Sequence, residues 1–108
     1  REQGVLLMSS GFMTHGLPFL TQAQFQFNEI PAWSSAFDQW AAEALAAGNV
    51  EELARFGSIP TVRFAHPTVE HFTPLFVTLG AASDLDAGVE TTIEGYQFGL
   101  SKRSFQVA

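Results

Sequence analysis

The sequence contains no cysteine. Disulfides, zinc–thiolate sites, iron–sulfur clusters and a cysteine nucleophile are therefore excluded, and the composition suits a reducing, cytoplasmic setting. Cations are scarce: five Lys and Arg stand against eleven Asp and Glu, for a formal charge of −6. Phosphate backbones and anionic lipid surfaces are bound by clustered cations, so neither nucleic acid nor membrane is an expected partner. No apolar run approaches the ~20 residues of a membrane span. There is also no glycine-rich phosphate loop, no nucleophile elbow and no Ser-His-Asp order.

What is present is a core. Of 108 residues, 46% are hydrophobic, including eleven phenylalanines and two tryptophans, which is enough for one compact unit spanning residues 1–108. The chain opens Arg1-Glu2-Gln3-Gly4 and runs straight into Val5-Leu6-Leu7-Met8. Residues 5–9 read as a buried strand that has lost whatever preceded it. Residues 21–30 place Phe25 and Phe27 among alternating glutamines, which favours a strand or extended arm. Residues 31–47 carry Trp33, Phe37, Trp40, Ala41, Ala44 and Leu45 on one helical face, with Gly48 placed to end it. Asn49 followed by Glu52 predicts a capped short helix to Phe56. Residues 58–65 read as a connection. Thr68 is expected to cap a helix running to Leu79, interrupted by Pro74 and stopped by Gly80. Strand-like alternation follows at 91–93, 96–100 and 104–107. The expected class is α/β, a mixed sheet with flanking helices.

The informative side chains are His15, His66 and His71. His15 follows a strand and a Ser-Ser-Gly turn, where α/β proteins often place functional groups. A loop histidine satisfied by backbone or water is the blander alternative. At about 100° per residue, His71 falls about 40° outside the stripe of Val69, Phe72, Leu75, Phe76 and Leu79, at the margin of a buried face, while Glu70 points to solvent. Periodicity alone leaves it a hydrogen-bonded core histidine or a ligand. His66 and His71 lack the i, i+4 pairing of a helical zinc motif, and His66 is expected before the helix, with at most a supporting or capping role. Asp84, Asp86 and Glu90 lack calcium-loop spacing and read as a solvated loop. Phe12, Trp33 and Tyr96 are possible pocket walls, more often plain core.

Together the segments resemble one family. Ser10-Gly11-Phe12-Met13-Thr14-His15-Gly16-Leu17 is similar to the motif S-G-x-x-x-H-x-L, and Phe37-Asp38-Gln39-Trp40 to the helix after it. His66-Pro67-Thr68-Val69-Glu70-His71-Phe72-Thr73-Pro74-Leu75, continuing to Ala82, resembles H-P-T-x-E-H-x-x-P-L ending in L-G-A-A. These are features of the class III extradiol ring-cleavage dioxygenases, the LigB-like superfamily, in its DOPA-4,5-dioxygenase-like branch. Val69 departs from the proline common at that place.

The resemblance implies the carboxy-terminal part of a mixed α/β catalytic domain usually more than twice this length. It implies opening of a small catechol-type ring with O₂ at a non-haem metal, Fe(II) or Zn(II). It assigns His71 as a metal ligand, and His15 either as catalytic acid/base or as a further ligand. Two more histidine ligands would lie in an amino-terminal half, so this chain alone is expected to be inactive. Exposed strand edges of such a part imply a homo-oligomer or the missing half as partner. The alternatives are a non-catalytic interaction domain of the same fold, or a metal site shared between chains.

Overall fold

A computed structural model describes residues 3–108. Helix α2 (Ala32–Ala46) is its spine. Phe37, Ala41, Ala44 and Leu45 are buried along one face of it, with Trp33 and Trp40 packed at the margin. Both ends fall within about a residue of the sequence expectation, because both are local: Pro31 presets the entry, and Gly48 takes a positive φ just beyond.

Helix α3 (Val50–Ala54) follows immediately. The Asn49 side-chain oxygen accepts from the Glu52 N–H at 3.1 Å, as the Asn-Glu spacing predicts. The Glu52 carboxylate in turn accepts from the Trp40 indole N–H at 3.0 Å, tying α3 to α2. Replacing Asn49 with alanine is expected to cost about 1 kcal/mol. Thermal denaturation reads this directly, and an unchanged midpoint would show that the cap contributes nothing.

Three expectations are corrected. First, residues 5–9 form no strand among the described residues. Leu6 and Met8 are more than four-fifths exposed, because a strand needs a neighbour to satisfy its backbone and none of the described strands pairs with it. Second, residues 21–30 contain a helix, α1 (Gln22–Phe27), instead of a strand or extended arm. Gln24 reaches back to the Thr21 N–H at 2.6 Å, and Asn28 ends the helix at a positive φ. Third, residues 68–73 are turns, and α5 (Pro74–Gly80) begins at the proline. Proline needs no hydrogen-bond acceptor in a first turn, so Pro74 starts the helix instead of breaking it. Thr68 caps nothing and its hydroxyl donates to Glu70 at 2.6 Å, while Val69 is exposed. A short helix, α4 (Val62–Ala65), also lies within the expected connection.

The class is α/β as expected. The strands form two antiparallel ladders: β1 (Val89–Ile93) with β4 (Ser104–Val107), and β2 (Tyr96–Gln97) with β3 (Leu100–Ser101). Phe72 packs on Phe37 and Trp40 of α2, and Leu75 and Leu79 join the same core, so the His66–His71 stretch lies directly on it.

Candidate metal centre

Two backbone segments are clasped together beside α2. The first is the loop 9–16, the second the stretch 65–74. The Phe12 N–H donates to the His71 carbonyl at 2.8 Å, and the His15 N–H donates to the Ala65 carbonyl at 2.6 Å. Contact this close requires glycine. A Cβ on Gly11 would lie 2.3 Å from the His71 carbonyl oxygen, and one on Gly16 only 2.0 Å from that of Phe64. The two glycines bracketing His15 thus let its loop lie flat on the histidine-bearing stretch.

The clasp stacks the imidazoles of His15 and His71. Their centroids are 3.6 Å apart and their planes 23° from parallel. Phe12 tilts against His15 at 5.4 Å. On the His71 side of the pair lies a cavity of about 190 Å³, lined in part by Phe12, His71, Leu75, Arg103 and Phe105 but not by His15. Both histidines are half-buried and Glu70 is exposed, although residues 68–73 are turns and not the helix from which that was expected. Burial, followed by repulsion from His71, lowers the His15 pKa, so this ring is neutral with a lone pair to offer at neutral pH. Thr68 holds the Glu70 carboxyl below its ordinary value.

His66 is different. It is buried against Phe37 and Phe72, at 5.2 and 5.0 Å, and its Nε2 lies 2.7 Å from the Met13 carbonyl. That nitrogen is committed to the backbone. Burial above all pushes its pKa down to about 4.

Behind the loop is a polar network that the sequence reading missed. Asp38 on α2 accepts two hydrogen bonds from the Arg103 guanidinium, both at 2.9 Å, and one from the Ser101 hydroxyl. The Ser101 N–H donates to the Thr14 hydroxyl at 2.7 Å, and Thr14 also pairs with Ser34 at 2.9 Å. Thr14, Ser34 and Ser101 are wholly buried. The signal available was Ser34 and Asp38, one helical turn apart and next to the apolar stripe. Of the possible pocket walls, Phe12 lines the cavity, Tyr96 bonds to Asp38 at 3.3 Å, and Trp33 packs on the core. The loop of Asp84 and Asp86 is exposed and closed by its own Asx turn, in which Asp84 accepts from the Asp86 N–H.

Among the described residues, no group of three or more His, Cys, Asp or Glu side chains is arranged to hold a metal. His15 and His71 fit such a group as two imidazole donors, which is part of the set of three or more that Fe(II) or Zn(II) takes from protein. No helix is long and apolar enough to cross a membrane.

Residues 1–102 match the family described as the catalytic LigB subunit of aromatic ring-opening dioxygenase. The chain is 36% identical over 88 residues to the 4,5-DOPA dioxygenase extradiol of Beta vulgaris, covering 78% of this chain and 31% of that protein. Identity to its namesake in Mirabilis jalapa is 35% over 82 residues, 75% of this chain and 30% of the relative. The chain therefore spans about a third of the length of these relatives. A crystal structure of an uncharacterized protein from Escherichia coli K12 superposes with a TM-score of 0.83 at 25% identity, covering all of this chain and 45% of the other.

Proposed function

This chain belongs to the LigB family, and from that premise we propose that it is the carboxy-terminal portion of an extradiol dioxygenase domain that opens catechol-type rings with O₂. The stacked pair of His15 and His71 beside a cavity is the observation that carries this reading. The plant relatives are named for DOPA, a catechol, which favours a ring of that type.

His71 would hold the metal, Fe(II) or Zn(II), and His15 would serve as a second ligand or as the acid/base. A metal in that place supplies Lewis-acid activation of the ring hydroxyls and a meeting point for O₂. The chain's own residues do the rest. His15, kept neutral by burial, accepts a ring-hydroxyl proton at an imidazole nitrogen and can return it later. Phe12 and Phe105 give the cavity apolar walls against which an aromatic ring packs.

Two donors fall short of a complete site, so the chain alone is proposed to be inactive, with the remaining ligands supplied by the rest of the catalytic domain. The apolar side chains left open at Leu6, Met8 and Phe27 support a partner there, whether that remainder or a second copy of the chain.

Anaerobic titration with Fe(II) and then Zn(II), on this chain and on His15→Ala and His71→Ala, tests the reading. Binding by the parent that is lost in both variants is expected. Binding unchanged in either variant would remove that histidine from the site. O₂ uptake with a catechol and Fe(II) at an enzymatic rate would overturn the proposed incompleteness.

A further inference from the structure

We propose that His66 is a positioning residue: its buried imidazole, donating to the Met13 carbonyl, fixes the loop that carries His15 against His71. The inference rests on the reading of His15 and His71 as the working pair.

A carbonyl oxygen can only accept, so the 2.7 Å contact places the hydrogen on His66 Nε2. Nδ1 is then a bare lone pair, and it is buried with no hydrogen-bond partner. Adding a proton there would create a second buried donor with nothing to receive it. The ring is consequently held in one tautomer and one charge state, and the nitrogen that could reach outward is spent on the backbone. A histidine so placed is a rigid strut.

Its position determines what it supports. Along the clasp, the His71 carbonyl holds residue 12, the His66 ring holds residue 13 and the Ala65 carbonyl holds residue 15. The ties descend one segment as they ascend the other. Two of the three bind backbone to backbone and place no demand on side-chain identity. Of these three, only the His66 bond depends on a side chain, and it sits between the other two; a fourth tie, from the Ser9 hydroxyl to the Pro74 carbonyl at 2.8 Å, lies at the end of the loop away from His15. Phe37 and Phe72, their own rings 5.4 Å apart, both pack against the imidazole and hold it to the buried core. Released from it, the Met13 carbonyl would be a buried acceptor without a donor. The loop would shift to satisfy it, carrying the His15 imidazole off its stack with His71.

The test compares His66→Leu, which fills the space without a donor, with His66→Gln, whose Nε2 amide can donate to the same carbonyl. The imidazole proton shifts of His15 and His71 are recorded by NMR on this chain at mildly alkaline pH, with circular dichroism as the check on folding. The expected result is ring-current-displaced shifts in the parent, collapse toward free-histidine values in His66→Leu, and recovery in His66→Gln. Metal affinity should follow, falling about 10–100-fold in His66→Leu and recovering in His66→Gln.

A folded His66→Leu chain with parental shifts overturns the proposal. Should His66→Leu not fold, His66→Gln decides. Parental shifts uphold the bond's role, displaced shifts in a folded chain overturn it, and failure of both variants to fold assigns His66 to the core alone. The shifts need no metal, so this outcome is separate from whether His15 and His71 bind one.

Discussion

Replacing Gly16 with alanine is expected to lower stability by roughly 3 kcal/mol or more, and to abolish metal binding at the histidine pair. The added Cβ would sit 2.0 Å from the Phe64 carbonyl oxygen and 2.6 Å from the tip of the Trp33 ring. Neither neighbour can yield cheaply. The carbonyl is backbone, and Trp33 is packed on the core. The loop must therefore lift, and the bond from the adjacent His15 N–H to Ala65 is lost with it. A loss of that size is a large share of the ~5–15 kcal/mol that holds an ordinary domain folded. It should appear as a fall in melting temperature of about 10 °C or more. Gly57→Ala is the control, because a Cβ there meets nothing within 4 Å, and its effect should stay within about 0.5 kcal/mol. If Gly16→Ala melted with the parent, the close approach of the two segments would not exist in solution.

That prediction also shows where sequence reading ends. His15 and His71 were visible as candidates because imidazole is chemically distinctive and the motifs around them resemble a known family. The clasp that unites them was not visible. Its backbone hydrogen bonds and the room left by absent side chains leave no signature in residue type. Gly16 in isolation reads as loop punctuation. Its real task, passing under the Phe64 carbonyl 48 positions away in sequence, is a tertiary fact. The Asp38 network was hidden for a related reason. Asp38 lies within an amphipathic helix whose apolar stripe drew the reading, and Arg103 lies in what looks like an ordinary polar turn.

Elements with local causes are legible in the sequence. The α2 stripe, the Asn49 cap and the strand at 104–107 each carry their instructions within a few residues. Elements that depend on a neighbour are not. Residues 5–9 have the composition of a core strand yet stand open, since composition states only what a segment could bury and not whether a partner is there. At Pro74 the same residue type either breaks a helix or begins one. Extending the helix back to Thr68 chose wrongly because the apolar spacing continues through the turns.

The second large effect concerns Asp38. Its carboxylate is almost wholly buried, and the Arg103 guanidinium facing it is only 11% exposed. Asp38→Ala would leave that cation only the Thr91 hydroxyl at 3.4 Å and Glu94, 3.7 Å away on an exposed side chain. Breaking one side of a buried pair typically costs about 3–5 kcal/mol, and that loss is expected here in denaturant unfolding. It should reach the site as well. Ser101 would lose its acceptor at Asp38 while its N–H still holds Thr14, the residue before His15.

The pH dependence separates the charge from the shape. Burial by itself would raise the Asp38 pKa, but the hydrogen bonds from Arg103 and Ser101 outweigh it and hold the carboxyl below its ordinary value. A carboxyl depressed on folding contributes stability that is fully present above its unfolded pKa, near 4, and is lost as pH falls through the lower folded value. Asp38→Asn keeps the shape and cannot ionise. The gap in stability between parent and Asp38→Asn should therefore be widest at neutral pH and close progressively in acid. A gap independent of pH would mean that Asp38 works through packing and neutral hydrogen bonds, and that the ion pair with Arg103 is incidental to holding the His15 loop.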